Sequence, residues 1–183
     1  NKINNELIAN IGNFVHRTLT FVWSNYGGKV PKAGTRDELD DQLEQKIKAV
    51  AADVAEEIEK VELNKGLRKI VEFSAFCNQY FQKKQPWADK QKANTCIYLG
   101  INAVRSLAIL LEPFIPFSAE NLWQQLNLNG SVHLQDWDSA SELKIKSGHQ
   151  INEPKILFQR VPEEVTEKEK EKLHRLSQKT QSK

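Results

Sequence analysis

Apolar residues recur along this chain at intervals of three and four, the spacing of one face of an α-helix. Ile3, Leu7, Ile11, Phe14, Thr18 and Val22 form one stripe, widened by Ile8, Val15 and Leu19, and predict a first helix over about residues 3–26. Gly27-Gly28 and then Pro31 end it, as expected just past a helix C-terminus. Asn5, Ala9, Gly12 and His16 fall together on another stripe of the same helix. A second helix is predicted from near Thr35, with Thr35 and Glu38 as a capping box; Leu39, Leu43, Ile47, Val50, Val54, Ile58 and Val61 give its apolar face. Asn64 is placed to cap a third helix lined by Leu67, Ile70, Val71, Cys77, Tyr80 and Phe81, which stops before Pro86. The fourth, over about 90–111, stops at Pro113 and is apolar on nearly every side from Ile97 onward, so it belongs at the centre of a bundle. Ser118 is placed to cap a short fifth helix through Leu126.

Residues 127–152 have no period and many turn formers, which predicts loop with one short strand. Residues 155–161 read as a short strand or extended segment, and 163–176 as a final charged helix. There are no internal repeats and no alternating βα pattern. The predicted class is all-α: an antiparallel bundle of four to five helices, followed by an extended segment and a last helix. The expected division is a bundle over 1–161 and a charged tail over 162–183. That tail either packs back on a larger protein or is solvated.

With 183 residues the chain is long enough for one domain with its own core. It contains no Met and opens with Asn1, so it is expected to be a piece of a longer protein. Cys77 and Cys96 lie in apolar helical stretches without a CxxC, which predicts buried free thiols in a reducing compartment. No secretory leader is visible. The longest apolar run, 101–111, is broken by Asn102, Arg105 and Ser106 and falls short of the roughly 20 residues of a membrane span. A cytoplasmic protein without a membrane partner is expected.

A net charge of +2 argues against a dedicated nucleic-acid binder, but the distribution changes that picture. Residues 36–62 carry 10 acidic and 4 basic side chains, and residues 65–92 carry 2 acidic and 7 basic. In the basic stretch Pro86-Trp87 sits at a helix break among Lys83, Lys84, Lys90 and Lys92. Single-stranded RNA is held by cations on its phosphates and flat aromatic faces under its splayed bases, and both occur here. The alternative for Trp87 is a lid packed on the bundle; core packing is expected for Trp23 and Trp123. Asn1, Asn4, Asn5, Asn10 and Asn13 cluster on the first helix, where amides suit base edges. For Asn10 and Asn13 internal hydrogen bonding is expected. Catalytic residues are not expected. His16, His133, His149 and His174 show no i, i+4 pair, so no metal site is predicted. Gly27-Gly28 lacks the strand before it that a phosphate loop has, and the acidic run reads as a solvated helix face.

Taken together these residues resemble the anticodon-binding domain of methionyl-tRNA synthetase, especially of archaeal and eukaryotic type. The resemblance is carried by the opening run from Asn1 to Arg17, by Gln85-Pro86-Trp87, by the run from Pro113 to Glu120, and by Gly148-His149-Gln150-Ile151 with Pro154 and Leu157-Phe158. It covers nearly the whole chain in order. It implies an α-helical bundle that binds the anticodon stem and loop of methionine tRNA. Trp87 would stack on an unstacked base, Pro86 would shape the pocket and Asn5 would bond a base edge. Many bacterial members place an Arg one turn after that Asn, where this chain has Ala9, so His16 or a lysine near Trp87 would substitute. Lys83, Lys84 and Lys90 are the candidate phosphate contacts. The parent would be an ATP-dependent methionine–tRNA ligase. ATP and methionine would bind its catalytic half, a partner of this piece, and no cofactor is expected in the piece itself. Two other readings remain: a helical adaptor that binds only protein, and the equivalent domain of the isoleucine, valine, leucine or cysteine enzyme. The RNA reading requires Trp87 to be exposed on the face that carries Asn5.

Overall fold

The structure, a computed structural model, describes residues 7–159 and Lys172. Among these it is helical, as the spacing predicts. A π-helical turn, Leu7–Gly12, leads into α1 (Asn13–Tyr26), followed by α2 (Glu38–Glu59), α3 (Leu63–Lys84), α4 (Lys90–Leu111) and α5 (Pro116–Gln125). The predicted helix over 163–176 and the boundary at 161 lie outside the described residues apart from Lys172, which is helical.

α4 is the axis. Every residue from Ile101 to Leu111 is buried. Its stretch from Lys92 to Leu111 is long and apolar enough to cross a membrane, yet 89% of that window is covered by the bundle itself, which marks a core helix. The three polar residues that interrupt its apolar run each hold the irregular segment after α5. Asn102 donates to the Ile145 carbonyl (3.1 Å) and accepts from its N–H (2.9 Å). Ser106 donates to the Ala140 carbonyl (2.5 Å), and Arg105 to the carbonyl and hydroxyl of Ser139 (2.6 and 3.0 Å). Two 3₁₀ turns, Val132–Leu134 and Trp137–Ser141, are fixed in this way without a strand. The Trp137 indole N–H reaches across to the Ala51 carbonyl of α2 (3.0 Å).

Several helix starts differ from the sequence expectation. α2 is capped by Asp37, whose box partner is Asp40, rather than by Thr35 and Glu38. The Thr35 carbonyl is occupied by the Thr95 hydroxyl of α4 (3.3 Å), which keeps the chain extended for two more residues. Asn64 lies inside α3, because the α2–α3 link is a tight left-handed turn at Val61 (φ 61). Val61 is therefore 81% exposed instead of ending the apolar stripe. α5 begins two residues before Ser118, with Pro116 in its first turn, where a missing N–H costs nothing. The π-helical turn coincides with an intrusion: Asn78 donates to both the carbonyl and the side chain of Asn10 (3.0 and 2.9 Å), competing with the helical ladder.

Residues 155–159 form no strand, because no sheet edge is there to pair with them; the Lys155 N–H donates instead to the Gln125 side chain (2.9 Å). Extended pairing is confined, among the described residues, to one antiparallel bridge between Lys29 and Gln150. Around it Val30 N–H donates to His149 O (2.9 Å), Gly148 N–H to Val30 O (2.8 Å) and Ile151 N–H to Gly28 O (2.9 Å). The Gly-Gly that ends α1 is thus the dock for the Gly-His-Gln-Ile run. Gly28 has φ 79, and a Cβ there would meet the Gln150 amide and lie 2.9 Å from the Trp23 ring. Gly28→Ala is expected to destabilise the chain by about 2 kcal/mol or more, combining left-handed strain with a clash. Urea denaturation checks this; a loss below about 0.5 kcal/mol would show that the dock yields freely.

Candidate nucleic-acid interface

The α3–α4 junction is built by one left-handed residue. Gln85 (φ 45, ψ 60) leaves α3, and its N–H still reaches the Phe81 carbonyl (3.2 Å). Ala88 N–H then closes a turn onto the Gln85 carbonyl (2.9 Å). Pro86 is buried and fixes the backbone, while Trp87 is 53% exposed. Its ring leans on Phe81 with centroids 6.2 Å apart and planes at 39°. Phe81 meets Phe21 edge-on, and Phe21 meets Tyr26, each pair at 6.2 Å. An aromatic shelf therefore runs from the end of α1 to the α3–α4 junction.

The Arg17 guanidinium lies over this shelf, 4.8 Å from the Phe81 centroid and 5.8 Å from that of Trp87. It also donates to the Gln82 side chain (3.4 Å), and one turn earlier exposed Asn13 donates to Asn78 (3.0 Å). These rungs tie α1 to α3 along the edge leading to Trp87. Trp87 also lines a groove of about 740 Å³ together with Phe21, Ser24, Asn25, Tyr26, Pro86, Ala93 and Asn94. The Tyr26 hydroxyl donates to the Asn94 side-chain oxygen (2.9 Å), which leaves the Asn94 amide presenting its NH₂. Burial, and then the nearby Cys96, raise the Tyr26 phenol above its ordinary value, so it remains a donor.

The predicted site residues separate into groups. Pro86 and Trp87 share the groove beside the shelf. Ala9 and His16 line a second opening of about 500 Å³ with Gly12, Asn13 and Ile156 to Phe158. Asn5 and the Lys90 side chain lie outside the described residues. Lys83 is exposed, as a phosphate contact requires. Lys84 is not available as one: its side chain is 3% exposed, and its ammonium binds Asp37 and Asp40, each at 2.9 Å. Burial pulls the Lys84 ammonium down, but the hydrogen bonds to Asp37 and Asp40 outweigh it and raise it. The Lys84 hydrogen bond likewise holds the Asp37 carboxyl below its ordinary value. Both shifts favour the paired charges in the folded chain. The pairing is thus fully present at neutral pH, fading only as pH falls below about 4 or rises above about 10.5.

Trp123 is buried as expected, whereas Trp23 is 39% exposed and lies over Gly28 rather than in the core. Both cysteines are free and buried, and burial pushes the Cys96 thiol up to about 12. Asn10 is satisfied internally, as expected, although by α3 rather than by a loop. The sequence reading missed Arg17, Phe81, Tyr26 and Asn94. A signal for the first was present, since Arg17 stands four residues after Asn13, the Asn-then-Arg spacing sought at Asn5 and Ala9.

An all-α bundle that carries an exposed aromatic–cation shelf at a helix junction has the form of a helical RNA-reading module. The comparisons specify it. Residues 30–178 match the family model described as the anticodon binding domain of methionyl tRNA ligase. The methionine–tRNA ligase of Methanosphaera stadtmanae is 36% identical over 97% of this chain, and that of Methanopyrus kandleri 39% identical over 92%. The chain spans 28% and 25% of those two proteins. The free-state structure of Mycobacterium tuberculosis methionyl-tRNA synthetase superposes with a TM-score of 0.80 at 25% identity, covering 88% of this chain and 34% of that one. The chain belongs to the family of methionyl-tRNA ligase anticodon-binding domains, and the protein-only adaptor and the sister synthetases are not favoured.

If Trp87 is a surface platform rather than a lid, its side chain contributes little to folding. Trp87→Ala is expected to cost about 1 kcal/mol or less, and Trp123→Ala about 3–5 kcal/mol. Denaturation of the two variants in parallel checks this, and equal losses would return Trp87 to the core.

Proposed function

We propose that this chain reads the anticodon loop of methionine tRNA by stacking one unpaired base on Trp87, with Arg17 and Asn13 supplying donors to that base or its phosphate. The observation that carries this reading is the Arg17 guanidinium poised over Phe81 and Trp87, where the same half-exposed Trp87 ring also lines an open groove. An exposed Trp with no folding role in view, backed by a second ring and flanked by a cation, matches what an unstacked base requires. The Asn-then-Arg pair that the resemblance sought at Asn5 and Ala9 is met about two turns later, at Asn13 and Arg17. Pro86 shapes the wall, and Lys83 faces the phosphates. Asn13 borders the second opening but is tied to α3 through Asn78, whereas Ala9 and His16 line that opening without such a tie and are assigned no base contact.

In this reading the parent protein joins methionine to its tRNA with ATP in the cytoplasm. The bundle contributes recognition of the tRNA and works beside a catalytic domain that binds ATP and methionine. An anticodon loop offers few contacts, so binding by the bundle alone is weak and salt-sensitive.

The test is titration of the chain with a methionine-tRNA anticodon stem-loop at low salt, following tryptophan fluorescence. Wild type is expected to quench. Trp87→Ala is expected to lose the quench and about 1–3 kcal/mol of affinity. Arg17→Ala and Asn13→Ala weaken binding, whereas Asn5→Ala leaves it unchanged. A stem-loop with an altered anticodon binds less well to wild type but no worse to Trp87→Ala. Equal binding of both stem-loops to wild type would sink the reading.

A further inference from the structure

We propose that the buried cluster of Lys84, Asp40 and Tyr80 is a positioning device, which fixes the turn that presents Trp87 and so sets the orientation of the stacking surface. The inference rests on Trp87 being the base platform. Lys84 is the last residue of α3 and stands three positions before Trp87. Its ammonium bonds Asp40 (2.9 Å), and the Tyr80 hydroxyl, one turn earlier on α3, donates to the other Asp40 oxygen (2.6 Å). Asp40 is wholly buried and also accepts the Asp37 backbone N–H (2.9 Å) in the capping box of α2. Asp37, the cap itself, takes a second bond from Lys84 (2.9 Å). The first turn of α2 and the last turn of α3 are thereby locked to each other by directional bonds.

That lock lies where the chain leaves the helix through a non-glycine left-handed residue, Gln85. One more helical residue at this point would turn the following side chains by about 100° around the axis. Phe81, which backs Trp87, lies between Tyr80 and Lys84 on the same last turn. Orientation rather than bulk stability is the argument for a charged cluster here. A buried ion pair is on balance no more stabilising than apolar residues of the same volume, but its bonds admit a single geometry. The basic stretch around Trp87 gives up one cation to solvent-free use although its neighbours Lys83 and Lys92 stay exposed.

Two variants of the 183-residue chain test this. Tyr80→Phe removes one directional bond and keeps both charges. The double variant Lys84→Met with Asp40→Asn removes the buried ion pair without stranding a buried charge, since Asp37, the other partner of Lys84, is 49% exposed. The first readout is the set of indole N–H resonances, with that of Trp87 assigned by its loss in Trp87→Phe. Trp123 and Trp137, whose indoles bond Asn129 and Ala51 carbonyls, serve as controls for the core. The Trp87 resonance is expected to shift or broaden in both variants while the controls hold. The second readout is affinity for the anticodon stem-loop, expected to fall on the order of tenfold in the double variant, with that loss absent in a Trp87→Ala background. An unmoved Trp87 resonance, or the same loss with Trp87 already removed, would overturn the proposal and leave the cluster a stabilising pair. If the wild type fails to bind the stem-loop, the anticodon reading falls, and the indole resonances alone decide whether the cluster sets Trp87.

Discussion

The burial of α4 on all sides from Leu99 to Leu111 is the constraint from which the rest of the structure follows. A helix with no solvated face must be enclosed by every other element, and any polar group on it must find a partner inside. Asn102, Arg105 and Ser106 meet that requirement by bonding backbone of the segment after α5. These bonds give an aperiodic stretch a fixed course, and it then covers the flank of α4 that no helix fills. Arg105 adds a contact to the Trp123 ring at 5.6 Å, which ties α5 to the same centre. The C-terminal return against Gly27 and Gly28 closes the enclosure.

Charge is used in two ways at the end of the bundle that bears Trp87. Along the sequence an acidic block and a basic block look like separate surfaces. In the fold they meet, and Asp37 and Asp40 of the first take Lys84 out of the second. What remains exposed among the described residues is an aromatic shelf with Arg17 over it, and Lys83 and Lys92 on either side of Trp87 in sequence. Such a surface suits an unstacked base with a few phosphates better than a duplex backbone, whose grip scales with the number of phosphates neutralised.

The helical bundle was legible because its apolar spacing is regular and because Gly, Pro and aliphatic runs mark the breaks. The site was only partly legible. Pro-Trp at a helix break is a local pattern, so the junction that holds buried Pro86 and half-exposed Trp87 was legible directly as a candidate. Lys84 could not, since its partners lie 44 and 47 positions away in sequence and nothing local distinguishes it from Lys83. Arg17 was overlooked because the resemblance points to Asn5 as the base-contacting Asn, which puts the expected Arg position at Ala9 and passes over the same spacing at Asn13. Helix caps were misplaced for a related reason: Thr35 has the right chemistry, but a bond from Thr95 on another helix occupies its carbonyl.

The position of Arg17 bears on how the shelf accommodates a base. Its guanidinium is nearer Phe81 than Trp87, 4.8 against 5.8 Å, so Phe81 is its principal resting place. A base that slides over the exposed part of Trp87 need not strip Arg17 from the protein. In the proposed reading the side chain would keep its stacking on Phe81 while its N–H groups turned toward a base edge or phosphate. Little rotamer entropy is then lost on binding, because Arg17 is already held by a ring and by Gln82. A lysine at this position would keep the charge but neither the flat contact with Phe81 nor the forked donors. The shelf thus depends on Phe81 twice, as the support of the Trp87 ring and as the seat of the cation that serves it.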